Sequence, residues 1–194
     1  MTSSIAVVHV DAERREACQT RLATGAYVEK DSPVLELLGA VEELSAWVAL
    51  LAADPPTVEA GRLLVLVRND LFELERQVAA AGAALLQRDY VQRLAAAMGE
   101  LERRLPPPPS GLLAGGTVQA ARAGLARGVC RRAERRLIGL WEIDPALRAR
   151  DAVAYLNLLG DLLQLMGRLA NAAADRAPPV FDRGLSLCGE PPLG

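Results

Sequence analysis

Ala126-Arg127-Gly128-Val129-Cys130-Arg131-Arg132-Ala133-Glu134-Arg135-Arg136 packs charge densely at helical spacing. Further on, Ala154-Tyr155-Leu156-Asn157-Leu158-Leu159-Gly160-Asp161 sets an amide and a carboxylate among leucines. On a helix, Arg127, Arg131, Glu134 and Ile138 share one face, and so do Asn157 and Asp161, one turn apart. Two such helices packed together bring two arginines, two carboxylates and an amide to one cleft. That set of groups suits an anionic or nucleotide-like ligand better than a plain core.

The rest of the chain reads outward from these two helices. Asp31-Ser32-Pro33 starts a helix over about 33–53, with Leu35, Leu38, Val41, Leu44 and Val48 near one stripe. Asp54-Pro55-Pro56-Thr57 breaks it. A second helix follows over about 58–81, burying Leu63, Leu64, Val67, Leu71, Leu74 and Val78, with Gly82 as a stop signal. A third covers about 89–105, with Tyr90, Leu94, Met98 and Leu101 inward, and the run Pro106 to Pro109 ends it. The fourth runs over about 117–141. Asp144-Pro145 caps the fifth, which continues to about Ala174. The fold class expected is all-α, a five-helix up-and-down bundle spanning 31–176. It is flanked by an N-terminal arm over 1–30, where Ile5 to Val10 is a short strand or extended segment, and by a tail over 177–194.

Composition agrees. Of 194 residues, 51% are hydrophobic and only 4% aromatic, so Leu, Ala and Val fill the core and favour helix over strand. A net charge of -2 gives no field that calls for nucleic acid, and the arginine cluster lacks interleaved aromatics. Cys18, Cys130 and Cys188 have neither disulfide nor zinc spacing, which points to a reduced, cytoplasmic setting without a metal. No run reaches the roughly 20 apolar residues that span a bilayer.

In this order, Gly39-Ala40-Val41-Glu42-Glu43-Leu44, Asn69-Asp70-Leu71-Phe72, Gly115-Gly116-Thr117, Arg127 through Arg135 and Tyr155-Leu156-Asn157 resemble the ATP:cob(I)alamin adenosyltransferases of the propanediol-utilisation type. The resemblance implies a trimer of five-helix bundles with ATP and corrinoid bound between subunits. It implies a reaction in which reduced cobalt attacks the 5′ carbon of ATP and releases triphosphate. It also implies roles: Arg127 pairs with the acid at Glu42 across the subunit interface, while Arg131, Glu134 and Asn157 contact the nucleotide. Read from residues alone, the same arginines and Glu134 also fit a solvated helix face, and Asn157 fits a buried amide satisfied by its neighbours.

The chain departs from the family pattern in several places. Residues 1–30 lack the Thr-x-Thr-Gly-Asp-x-Gly loop that cradles triphosphate. Gly111 stands where the family has a phenylalanine that helps displace cobalt's lower ligand. Ala114 replaces a proline, Leu158 an arginine, and Glu42 an aspartate. These changes lead to the expectation of a protein repurposed to bind another small molecule in the intersubunit cleft. In that reading Glu42, Glu134 and Asp161 do acid–base work, and Arg127, Arg131 and Asn157 hold the ligand. The alternatives are an active adenosyltransferase with a remodelled site, and a non-catalytic subunit that stabilises an active relative. His9, the sole histidine, lies in the arm; Cys130 is expected in the core, with Trp47 and Trp141 as core or interface anchors.

Overall fold

A computed structural model describes residues 17–80, 86–143, 145, 148 and 150–188. Ile5 to Val10, His9, Gly82 and Asp144 lie outside these residues.

Two short strands come first, β1 (Gln19–Arg21) and β2 (Tyr27–Glu29), paired antiparallel with Thr20 opposite Val28. Five long helices follow: α1 (Pro33–Ala53), α2 (Val58–Ala79), α3 (Arg88–Glu102), α4 (Val118–Ile143) and α5 (Arg150–Ala173). The short α6 (Arg183–Cys188) closes the described chain. Pro33 occupies the first turn of α1, where its missing N–H costs nothing. Thr57 caps α2 by accepting a hydrogen bond from the Ala60 N–H at 3.1 Å, and Thr117 does the same for Ala120 before α4.

Neighbouring helices run in the order α2, α1, α4, α5, α3. Ion pairs from Glu43 to Arg132 and from Glu36 to Arg136 show α1 and α4 antiparallel. Cys130 against Leu156 and Thr117 against Asn171 show the same for α4 and α5. The all-α bundle expected from periodicity is therefore the fold. Its core is aliphatic: Leu37, Leu44, Leu64, Leu71, Leu137, Leu156 and Leu159 are wholly buried.

On α1, Val41, Leu44 and Val48 of the expected stripe are buried, and the buried arc is wider than that stripe. Leu37 is buried while Leu35 and Leu38 are half-buried, because α1 contacts both α2 and α4 and buries a wider arc than one stripe. The first thirty residues hold a hairpin that their weak alternation did not announce. The segment after Pro179 is paired: Val180 bridges Leu112 antiparallel, the Leu113 N–H donates to the Pro179 carbonyl at 2.9 Å, and the Phe181 N–H donates to that of Gly111 at 2.8 Å.

One polar network crosses the bundle. Asp70, only 6% exposed, accepts from Arg93 Nη2 at 2.5 and 2.6 Å and from the Tyr155 hydroxyl at 2.7 Å. The Arg93 guanidinium also lies 5.0 Å from the centroid of the Tyr90 ring. The Asp70 hydrogen bond raises the Arg93 pKa, and burial pushes the Tyr155 phenol up, so the arginine stays charged and the phenol keeps its proton. The network joins α2, α3 and α5, and anchors the turn of α5 that carries Asn157.

Candidate active site

The seam between α4 and α5 gathers most of the residues singled out in the sequence. Asn157 Nδ2 donates to Glu134 Oε1 at 3.3 Å across it. Beneath lies Cys130, whose thiol donates to the Leu156 carbonyl at 3.1 Å. Burial pushes that thiol up to about 12, Glu134 adds to the push, Arg127 opposes it and Asp161 adds again. Those three charges are therefore near enough to act on one buried sulfur. Cys130 packs as a small apolar side chain and is no nucleophile.

Arg127 is half-buried, and its Nε is enclosed without a hydrogen-bond partner among the described residues. A buried guanidinium N–H without an acceptor is costly, so this is a position where an acceptor would be favoured. Arg131 and Asn157 are exposed on the same surface, and Glu134 is half-buried. Asp161 is exposed one turn from Asn157. Glu42 is not brought to this seam. It lies on α1 beside Glu75 of α2, whose carboxyl is raised by burial first and by Glu42 second. Glu75 Oε1 is likewise enclosed without a partner among the described residues. Trp47 packs against the core, and Trp141 has a buried Nε1 without a partner among the described residues.

Beside Arg127 opens a cleft of about 120 Å³ walled by Leu112, Leu113, Ala114, Leu163, Gln164 and Arg168. The loop over 111–116 forms its rim, and Asn171 of α5 fixes that loop. Its Oδ1 accepts from the Thr117 N–H and its Nδ2 donates to the Gly115 carbonyl, both at 2.9 Å. Gly116 has φ +100, and a Cβ there would stand 2.6 Å from Asn171 Oδ1, so only glycine fits. Asn171 was missed in the sequence: a lone asparagine near a helix end carries no pattern that separates it from solvated ones. Gly111, at φ +72, also meets Phe181, whose Cβ would be 3.3 Å from an added Cβ. Where an aromatic was expected from the resemblance, the backbone makes a tight turn against the C-terminal segment.

An enclosed arginine Nε, a polar seam and a glycine rim on a five-helix bundle agree with the comparison of sequences. The sequence profile of the cobalamin adenosyltransferase family matches residues 12–170. The chain belongs to the cobalamin adenosyltransferase family. A cobalamin adenosyltransferase of Cupriavidus metallidurans is 33% identical over 169 residues, covering 87% of this chain and 91% of that relative. The corrinoid adenosyltransferase PduO of Salmonella typhimurium is 29% identical over 186 residues, and the match takes in 91% of this chain but only 54% of PduO. The fold matches a variant of the PduO-type ATP:corrinoid adenosyltransferase from Lactobacillus reuteri complexed with cobalamin and ATP. The TM-score is 0.75 at 22% identity, covering 88% of this chain and 98% of that one. Among the described residues, no helix is long and apolar enough to cross a membrane, and no group of three or more His, Cys, Asp or Glu is placed to hold a metal ion.

Proposed function

We propose that this protein is an ATP:corrinoid adenosyltransferase whose site is completed by a second copy of the chain. The observation that carries this reading is the polar surface of the α4–α5 seam. It keeps Arg131 exposed, prearranges Asn157 with Glu134, and leaves a buried Arg127 N–H awaiting an acceptor.

The groups fit a nucleotide. Arg131 offers a forked, permanently charged donor to phosphate oxygens. Glu134 and Asn157 offer an acceptor and a donor for ribose hydroxyls or an adenine edge. The cleft beside Arg127, with its leucine walls, fits the edge of a corrinoid. Reduced cobalt would attack the 5′ carbon of ATP, the C–O bond to triphosphate would break, and triphosphate would leave with its electron pair. The protein's part is to hold the two reactants in line and to neutralise the departing triphosphate. Glu42 faces away from this seam within one chain. In a trimer, Glu42 of a neighbouring copy would supply an acceptor for the enclosed Arg127 Nε–H.

Exposed apolar residues support assembly. Val58, Val65 and Phe72 repeat every seven residues along α2, and Val118 and Leu125 stand out on α4. Glu134 serves in this reading as a positioning group for substrate, not as a general acid, because alkyl transfer to cobalt moves no proton.

A second reading, a scaffold turned to another small ligand, is favoured by Gly111 and Leu158, which remove an aromatic and an arginine from the expected pattern. A thermal-shift measurement separates the two. ATP and cobalamin together raise the unfolding temperature beyond either alone if the first reading holds. No shift with either ligand removes it.

A further inference from the structure

Gln164 and Arg168 line the cleft beside Arg127 and also a second cavity of about 300 Å³, together with Met98, Glu102, Pro108 and Asp161. The two cavities are therefore neighbours along α5, with these two side chains common to both.

The charge balance there is specific. Arg168 has only 11% of its side chain exposed; it donates to the Pro106 carbonyl and lies 3.7 Å from Glu102. Its donors are therefore partly spent inside the fold. Glu102 and Asp161 are both exposed to the cavity and its surroundings. Two carboxylates against one engaged guanidinium leave the wall formally at about -1. Ionised carboxylates only accept hydrogen bonds, whereas Gln164 can donate and accept.

Resting on the corrinoid reading above, we propose that this wall selects corrinoids whose peripheral side chains are carboxamides over corrinoids that carry free carboxylates. A primary amide donates its N–H groups to Asp161 or Glu102 and accepts from Gln164. A carboxylate has no proton to donate, and it brings a like charge toward two acids where one side is walled by Met98, Leu165 and Pro108. The discrimination is mainly repulsive, and such elements set specificity without adding affinity for the preferred ligand. Asp161 is thus a specificity residue here, which explains a carboxylate kept among the leucines of α5.

The test uses the full chain and two base-free corrinoids at pH 7 in low salt: cobinamide, which carries amides, and cobyrinic acid, which carries carboxylates. Dissociation constants are measured by quenching of tryptophan fluorescence. Cobinamide is expected to bind about tenfold more tightly, a like-charge effect at partly solvated range. The paired substitution of Asp161→Asn and Glu102→Gln is expected to tighten cobyrinic acid binding and bring the ratio to about twofold or less. Both residues are exposed, and circular dichroism of the variant checks that the bundle is intact. Equal binding of the two corrinoids by the unaltered protein, or a ratio unchanged in the double variant, overturns the inference while leaving the corrinoid reading standing. Binding of neither corrinoid overturns both.

Discussion

Asn157 and Glu134 meet across the α4–α5 seam, Nδ2 to Oε1 at 3.3 Å, from helices held antiparallel by the bundle core. The contact is long for a hydrogen bond and sits at the surface, so its worth to stability is small. Its value is geometric: the amide and the carboxylate are already turned toward the same point, with Arg131 one helical turn before Glu134. Replacing Arg131 by alanine should lower kcat/KM for ATP by about 100-fold or more, with kcat falling as well as KM rising. Asn157→Ala should cost less, roughly 10-fold. Steady-state kinetics at varied ATP check this; an Arg131→Ala enzyme with unaltered kcat/KM contradicts the nucleotide assignment.

The Asp70 network should behave as a structural unit. Tyr155→Phe removes one donor from Asp70 and should cost about 1–2 kcal/mol. Asp70→Ala leaves the Tyr155 hydroxyl buried without its acceptor and Arg93 without its carboxylate, and should cost about 2–4 kcal/mol. The lower end applies if Arg93, whose side chain is 46% exposed, turns to water. Urea unfolding of both variants measures the order, and Tyr155→Phe costing more than Asp70→Ala would be at odds with it.

The rim loop depends on two residues that hold each other. Gly116→Ala drives a Cβ into Asn171 and strains a positive φ, so about 2–3 kcal/mol of destabilisation is expected. Asn171→Ala opens space and loses two hydrogen bonds to the loop, at about 1–3 kcal/mol. The pair is not additive, because Asn171→Ala removes the atom that Gly116→Ala strikes. Thermal denaturation of the two single variants and the double variant measures this coupling; strict additivity would mean that the contact is not the cause.

Glu75 supplies a pH signature. Burial, then the Glu42 charge, raises its pKa in the folded chain above the ordinary carboxylate value. The folded state therefore binds the proton more tightly than the unfolded one. Its contribution is fully present below the unfolded value near pH 4.5 and is lost as pH rises through the raised value. Glu75→Gln should thus stabilise the protein at pH 7, by a few tenths to about 1 kcal/mol given partial exposure, and leave it unchanged or weaker at pH 4. Melting curves at the two pH values check the sign, and a variant less stable at pH 7 than at pH 4, relative to the parent, would reverse it.

Long amphipathic segments made the helices legible in the sequence. Leu63, Leu64, Val67, Leu71, Leu74 and Val78 are all buried as their spacing implies, because α2 carries one unbroken apolar face. Pro33 and the proline run after Leu105 gave clear helix signals. The hairpin of Gln19 to Glu29 was not legible, since strands of three residues offer too few alternations to register. The pairing of Val180 with Leu112 was also hidden: it joins positions far apart in the chain, and prolines beside it read as an end of order. At the site, Arg127, Glu134, Asn157 and Asp161 could be placed together because one helical period fixes each pair on a face. Glu42 could not: it lies on α1 beside Glu75 of α2, and periodicity does not say which helices pack together. Asn171 escaped because its partners are a backbone carbonyl and amide, and Arg168 because it reaches the Pro106 carbonyl and Glu102 far away in the chain, contacts that leave no trace in local periodicity.

The most direct measurement is a single-turnover assay in which the purified protein, ATP and chemically reduced cob(I)alamin are mixed anaerobically and the cobalt–carbon product is followed by its absorbance. The proposed function predicts adenosylcobalamin and triphosphate in equal amounts, at a rate that collapses in Arg131→Ala. Cobalamin left unalkylated by a folded protein that holds ATP would contradict it.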